Sequence, residues 1–335
     1  MKTKRNIILL ATFVSALFTL SCSLRELEDD PAALTIVSVG IDWSESGIDV
    51  RDMHRASIWL FPHNGAPALE YRLENDLSGR DIIVPPGVYS VLVFNETVDE
   101  NDWSGVAFTG TERYETFAAV SPPLLSQGFY KRSTELPLVD EPEALAVWSF
   151  DKLEVKPAGE IANEHYPQYK STGGRIDLSD VKPTPRFERV SLTAYVTNLA
   201  SSMQATGTID GMASGVYLAT GELMNEPAAH AFILNGRVYE DNGKSGTTTR
   251  TFNVFGRQPG ASNRLVAIDF LLVDGTFHPR QEFDVKNQSE SKTIDNVLTH
   301  IINLGYAQPY ITLPDLDVEK GVAVDRWDEV IIPLK

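Results

Sequence analysis

Short apolar, β-branched runs separated by turn residues dominate the chain beyond Pro31. Leu34 to Ile41 reads LTIVSVGI, and Ala56 to Phe61 reads ASIWLF before the turn signal Pro62-His63-Asn64-Gly65. Asp81 to Val84 and Val88 to Asn95 flank the turn Pro85-Pro86-Gly87. In the second of these, Tyr89, Val91, Val93 and Asn95 face one way and Val88, Ser90, Leu92 and Phe94 the other. A strand that is apolar on both faces belongs in the middle of a sheet. The second half repeats the style. Phe187 to Thr197 sets Glu188, Val190, Leu192, Ala194 and Val196 on its buried face, and further strands are expected at Gly215 to Ala219, Ala231 to Leu234, Thr248 to Phe255 and Leu265 to Val273. Asn235-Gly236, Asn242-Gly243 and Asp274-Gly275 read as hairpin dipeptides. One helix is predicted, over Ile294 to Leu304, where Ile294, Val297, Leu298 and Ile301 fall at helical spacing and Gly305 could cap the end.

With 19 prolines and 23 glycines, the chain is punctuated too often for a helical bundle, so the expectation is an all-β protein with a β-sandwich in each half. Ala158 to Pro185 shows no clear period and is expected to hold the boundary between a domain at 34–182 and one at 183–335.

The N-terminus has a different chemistry. Lys2, Lys4 and Arg5 precede the 14-residue apolar stretch Ile7 to Leu20, too short for a membrane span and proportioned as a secretory signal over residues 1–21. The lone cysteine, Cys22, follows at once. Thr19-Leu20-Ser21-Cys22 resembles the lipobox of bacterial lipoproteins, in which the cysteine carries lipid; the alternative is a plain secretory signal with an incidental cysteine. An exported chain usually pairs its cysteines or has none, so the placement favours lipid on Cys22 over a disulfide. Residues 22–33, with Glu26, Glu28, Asp29 and Asp30, then read as a solvated tether between lipid and fold.

Charge narrows the partners. Removing residues 1–21 leaves 26 of the 29 basic residues against 46 acidic ones, a formal balance of −20. Such a surface repels nucleic acid, which is excluded as a partner.

Signs of catalysis are sparse. None of the six histidines stands four residues from another, a single cysteine builds no thiolate zinc site, and each histidine reads as a surface or turn residue. Gly243-Lys244-Ser245 has Val238 where a phosphate loop needs glycine, and reads as a hairpin tip. Gly211-Met212-Ala213-Ser214-Gly215 places its serine wrongly for a nucleophile elbow. Asp315-Leu316-Asp317-Val318-Glu319 alternates oxygen ligands as a calcium loop does, but Lys320 replaces the required glycine. The 46 acidic residues offer carboxylate pairs whose separation only a structure gives. No cofactor and no enzyme activity are implied. Of the five tryptophans, Trp59 alternates with core residues, whereas Trp43 and Trp103, each followed by serine in an acidic loop, are expected to be exposed and able to contact a glycan.

Several stretches together resemble a known family. Cys22 with Arg25-Glu26-Leu27, the Val39 to Trp43 strand end, Phe61-Pro62-His63-Asn64-Gly65, and Ile83-Val84-Pro85-Pro86-Gly87-Val88-Tyr89-Ser90-Val91 leading to Phe94-Asn95 are similar to FimB-type fimbrial anchor lipoproteins and fimbrillin-like relatives of Gram-negative anaerobes. Arg189 to Val196 and Gly211 to Tyr217 fit the same pattern. The resemblance implies two tandem transthyretin-like Greek-key sandwiches, a place on the outer membrane, and a role as anchor or accessory subunit of a fimbrium whose subunits join by strand exchange. The competing expectation is a glycan-binding surface lipoprotein of a nutrient-uptake system.

Overall fold

The computed structural model describes residues 34–98, 105–124, 136–165, 169–258, 265–285, 289–306 and 311–316. Its regular elements there are strands, joined by a few three-residue 3-10 turns.

β1 (Thr35–Ile41) turns Val37, Val39 and Ile41 inward. β2 (Ala56–Pro62) and β3 (Leu69–Leu73) form an antiparallel pair, β4 (Gly79–Val84) returns along β1, and β5 (Gly87–Phe94) returns along β2. The chain then makes an excursion through β6 (Ala107–Thr109), β7 (Ala118–Val120) and β8 (Leu138–Val139) before β9 (Ala146–Val155) pairs with β5. β10 (Glu164–His165), β11 (Lys170–Thr172), β12 (Arg175–Val181) and β13 (Thr184–Pro185) complete the first half. Two five-stranded sheets result, ordered β10-β11-β12-β1-β4 and β13-β9-β5-β2-β3. Their shared core joins Val37, Val39, Ile176 and Leu178 of the first to Ile58, Leu60, Val91 and Val93 of the second.

The second half begins with β14 (Glu188–Thr197), whose buried positions alternate as a one-sided strand requires. It continues through β15 (Ser202–Ala213), β16 (Gly215–Tyr217), β17 (Pro227–Ile233), β18 (Gly236–Glu240) and β19 (Ser245–Val254). β20 (Leu265–Leu272), β21 (Gln281–Asp284), β22 (Ser289–Ile294), β23 (Val297–Leu304) and β24 (Ile311–Thr312) follow. The sheets are β18-β19-β14-β23-β22, with β24 also on β14, and β21-β20-β15-β17-β8. Leu192, Phe252 and Ile302 pack across the gap against Ile209, Phe232, Ile268 and Phe270. Each of these buried apolar side chains contributes about 1.5–3 kcal/mol.

The halves share connectivity. β1 and β14 each pair parallel with a late strand, β12 and β23, and antiparallel with β4 and β19. β2 and β15 likewise sit between their hairpin partners and β5 or β20. What the first half adds is the excursion, and it interlocks the two. β7 pairs with β16 and β8 with β17, so the first half supplies strands to sheets of the second. A third core fills the space between them, with Leu92 and Phe94 on the outer face of β5 packing with Phe117, Leu145, Leu218 and Phe255. This burial on both faces is why Val88 to Asn95 reads as apolar on both.

Four expectations are corrected. Ile294 to Leu304 is not helical: Asp295 and Asn296 take φ of 49° and 63° and form a two-residue turn, flanked by the pair Ile294↔Val297 of β22 and β23. Positive φ at both central residues is the hairpin geometry, and the β-branched residues after it suit a strand. Ala158 to Pro185, read as a connection without a period, carries β10 to β13. Asn235-Gly236 is not a hairpin tip, because β17 and β18 lie in different sheets and the dipeptide crosses between them. Two of the histidines are not surface residues: His230 and His300 are buried.

Candidate strand-accepting edge

A sandwich binds another chain most simply along a strand whose backbone has no neighbour, so the edges are where function would reside. Most are blunted. β8, β10 and β13 have two residues each, and β13 ends in Pro185. β21 carries Glu282 and Asp284, and β22 carries Glu290 and Lys292. The open side between β3 and β4 is stapled: the Tyr71 hydroxyl donates to the Ile83 carbonyl at 2.7 Å, and the Arg80 guanidinium donates to the Arg72 carbonyl at 3.1 Å. Burial pushes the Tyr71 phenol up, which keeps it a donor.

β18 is different. It is the outermost strand of its sheet, pairs only with β19 among the described residues, and shows Val238 (58% exposed) and Tyr239 (51%). Met203 (40%) adds apolar surface at the start of β15. Arg237 is turned away, donating to the carbonyls of Ser202 at 2.5 Å and Met203 at 2.9 Å, which leaves Glu240 at the end of the strand as its exposed charge. Glycines let β18 lie close to β19. A Cβ on Gly246 would meet the Val238 carbonyl oxygen at 2.3 Å, and one on Gly236 would meet Thr249 Oγ1 at 2.3 Å. Asp241 and Asn242, with φ of 49° and 56°, turn the chain from β18 into β19, and Asp241 accepts from Ser245 Oγ at 3.1 Å. The expected hairpin tip at Gly243-Lys244-Ser245 is thus in place, although β18 itself was not legible from hydrophobic pattern. The signal for it lay in the Asn242-Gly243 dipeptide, read as a hairpin in the sequence, which calls for a strand on each side.

The residues singled out in the sequence do not converge here. Cys22 and Trp103 lie outside the described residues. Trp43, expected exposed, is 6% exposed: it sits in the 3-10 turn Trp43–Glu45, capped by Asp42, and its indole N–H donates to the Leu77 carbonyl at 2.7 Å. An indole with its one donor satisfied inside the first core is a packing residue. Trp59 is partly buried and packs edge-on against Phe117. A depression among Glu154, Ile161, Glu164, Tyr169 and Ser171 offers about 20 Å³, room for one water. Among the described residues no group of three His, Asp, Glu or Cys side chains is placed to hold a metal.

A family profile described as a domain of unknown function, DUF5119, matches residues 21–232. The chain belongs to this family. A relative of this DUF5119 chain is Fim4B of Bacteroides ovatus, provisionally described as a fimbrium anchoring subunit, 28% identical over 149 residues. The match covers 44% of this chain and 40% of Fim4B, so the DUF5119 chain spans less than half of the relative's length. It is also similar to a crystal structure from the same organism, provisionally described as an adhesin, with a TM-score of 0.56, 20% identity and coverage of 88% of this chain and 98% of that one. That likeness shows a shared fold. The fimbrial anchor protein Mfa2 of Porphyromonas gingivalis aligns over 81% of this chain and 90% of its own at 10% identity and a TM-score of 0.41. The all-β expectation and the resemblance to fimbrial anchor proteins are borne out.

Proposed function

We propose that the chain is a non-enzymatic surface lipoprotein that serves as anchor or accessory subunit of a fimbrium, in which role it contributes to cell adhesion. In this reading residues 1–21 are removed, lipid on Cys22 holds the protein in the outer membrane, and residues 22–33 are the tether. Two tandem transthyretin-like sandwiches, 34–182 and 183–335, follow. A partner subunit adds a strand along β18, where main-chain hydrogen bonds give affinity and Val238, Tyr239 and Met203 give apolar contact. The observation that carries the reading is the match to Fim4B, a protein described as anchoring a fimbrium. The β18 edge, which has no strand beyond it among the described residues, supports it by supplying a binding mode. The glycan reading loses support, since Trp43, one of its two aromatic contacts, is spent inside the core.

The test is to capture the lipidated protein from mildly solubilised outer membranes and identify its companions by mass spectrometry. Fimbrial subunits in the captured material are the expected result. Recovery of the protein alone, or with a transporter and glycan-handling proteins, would overturn the anchor reading.

A further inference from the structure

In each half the first strand is the parallel neighbour of a late one, the last of more than two residues there among the described residues, and this has a mechanical consequence. In the first half the chain enters through β1 and leaves through β12 and then the two-residue β13; β1 and β12 are parallel neighbours with Ile36↔Arg175, Val37↔Ile176, Ser38↔Asp177, Val39↔Leu178 and Ile41↔Val181 in register. In the second half it enters through β14, and the final strands among the described residues, β23 and β24, are both parallel to β14. The register runs from Arg189↔Thr299 to Ala194↔Leu304 and resumes at Val196↔Ile311 and Thr197↔Thr312. Two parallel neighbours pulled at the N-terminus of one and the C-terminus of the other are drawn past each other along their length. All their ladder hydrogen bonds then share the load at once, whereas strands pulled apart from the same end open one bond at a time.

The path between the two halves has little slack. Thr184 and Pro185 pair with Val147 and Ala146, the Arg186 N–H donates to the Leu145 carbonyl at 2.7 Å, and Arg189 reaches the Gly47 carbonyl at 3.4 Å. At the far end, the Leu313 N–H donates to the Thr197 carbonyl at 3.1 Å, the Asn198 amide donates to the Leu313 carbonyl at 2.9 Å, and the Leu316 N–H donates to Ser201 Oγ at 3.1 Å. Both ladders therefore lie in series, in shear, on the line from Leu34 to Leu316.

We propose that the molecule is a tension-bearing link, whose two parallel strand pairs, β1 with β12 and β14 with β23, carry force applied between its ends. The source of the load rests on the fimbrial reading; the resistance to it does not.

The test is single-molecule force spectroscopy on the full non-lipidated mature chain, using the thiol of Cys22 as one handle and a thiol at K335C as the other. A second variant moves the far handle to T172C, an exposed position just before β12, so that β1 is peeled from β12 from their common end. Thermal unfolding first establishes that both variants are folded like the parent. End-to-end pulling is expected to require roughly twice the force of the peeling geometry, or more, because forced unfolding reads the barrier that the loaded bonds present. Equal forces in the two geometries, or a lower end-to-end force, would overturn the proposal. Because the comparison involves no partner, loss of the fimbrial reading in the capture experiment would leave the force ratio unaffected, and the reverse also holds.

Discussion

Single residues decide several points that composition leaves open. Trp43 is held by its indole hydrogen bond to Leu77, so Trp43→Phe should lower stability by about 1 kcal/mol in urea unfolding, the net worth of one such bond, while leaving any oligosaccharide affinity unchanged. Glu96, two residues beyond β5, is buried beside Arg55; desolvation outweighs the ion pair and the like charge of Glu143 adds to it, raising its carboxyl from 4.5 to about 7. The folded state therefore holds a proton that the unfolded state has lost, and this contribution is full below about pH 4.5 and disappears as pH rises through about 7. Glu96→Gln should flatten the stability profile across that window, as followed by denaturant titrations at pH 5 and pH 8. His230 works in the opposite sense. Burial lowers its imidazole from 6.5 to about 4, so its contribution is present above pH 6.5 and is lost as pH falls through about 4. Acid unfolding monitored between those values should be less steep in a His230→Gln variant that remains folded.

At the scale of elements, turn residues outrank hydrophobic spacing. Asn296 holds φ 63° between β22 and β23, where a β-branched residue costs about 1–2 kcal/mol, so Asn296→Val should destabilise by that amount while Asn296→Gly should be close to neutral in the same urea assay. Where strands alternate or are apolar on both faces, as in β1, β5, β14 and β20, they were legible in the sequence. β15 was not, although it is the longest strand at 12 residues, because SMQATGTIDGMA is small and polar, and its place in the core depends on neighbours such as Phe232 lying over Gly207. β12 was hidden for a related reason: only Ile176, Leu178 and Val181 of RIDLSDV point inward, and a register irregularity between Val39 and Ile41 of its partner breaks the alternation. The candidate edge was illegible in a deeper way. That β18 has no neighbour beyond it among the described residues and that Arg237 is diverted to Ser202 and Met203 are facts of tertiary pairing, which no local pattern encodes.

For the whole molecule, the excursion from the first half makes the two halves depend on each other. Gly215 of β16 lies so close to β7 that a Cβ there would meet the Ala119 carbonyl oxygen at 2.5 Å and Val120 at 2.8 Å. Gly215→Val should force the strands apart at a cost of about 1–3 kcal/mol and split a shared thermal transition into two, as read by calorimetry. The same interlock presents β18 on a fixed body, which is what a strand-accepting edge requires. The most direct test of that edge is a photo-crosslinking residue placed at Tyr239 in cells that make the fimbrium, with a second placed at the stapled Ile83 edge as control. The expected result is a crosslink to a fimbrial subunit from Tyr239, lost on Val238→Lys, and none from Ile83. A crosslink from Ile83 alone, or from neither position while the protein still co-purifies with fimbrial subunits, would contradict partner binding along β18.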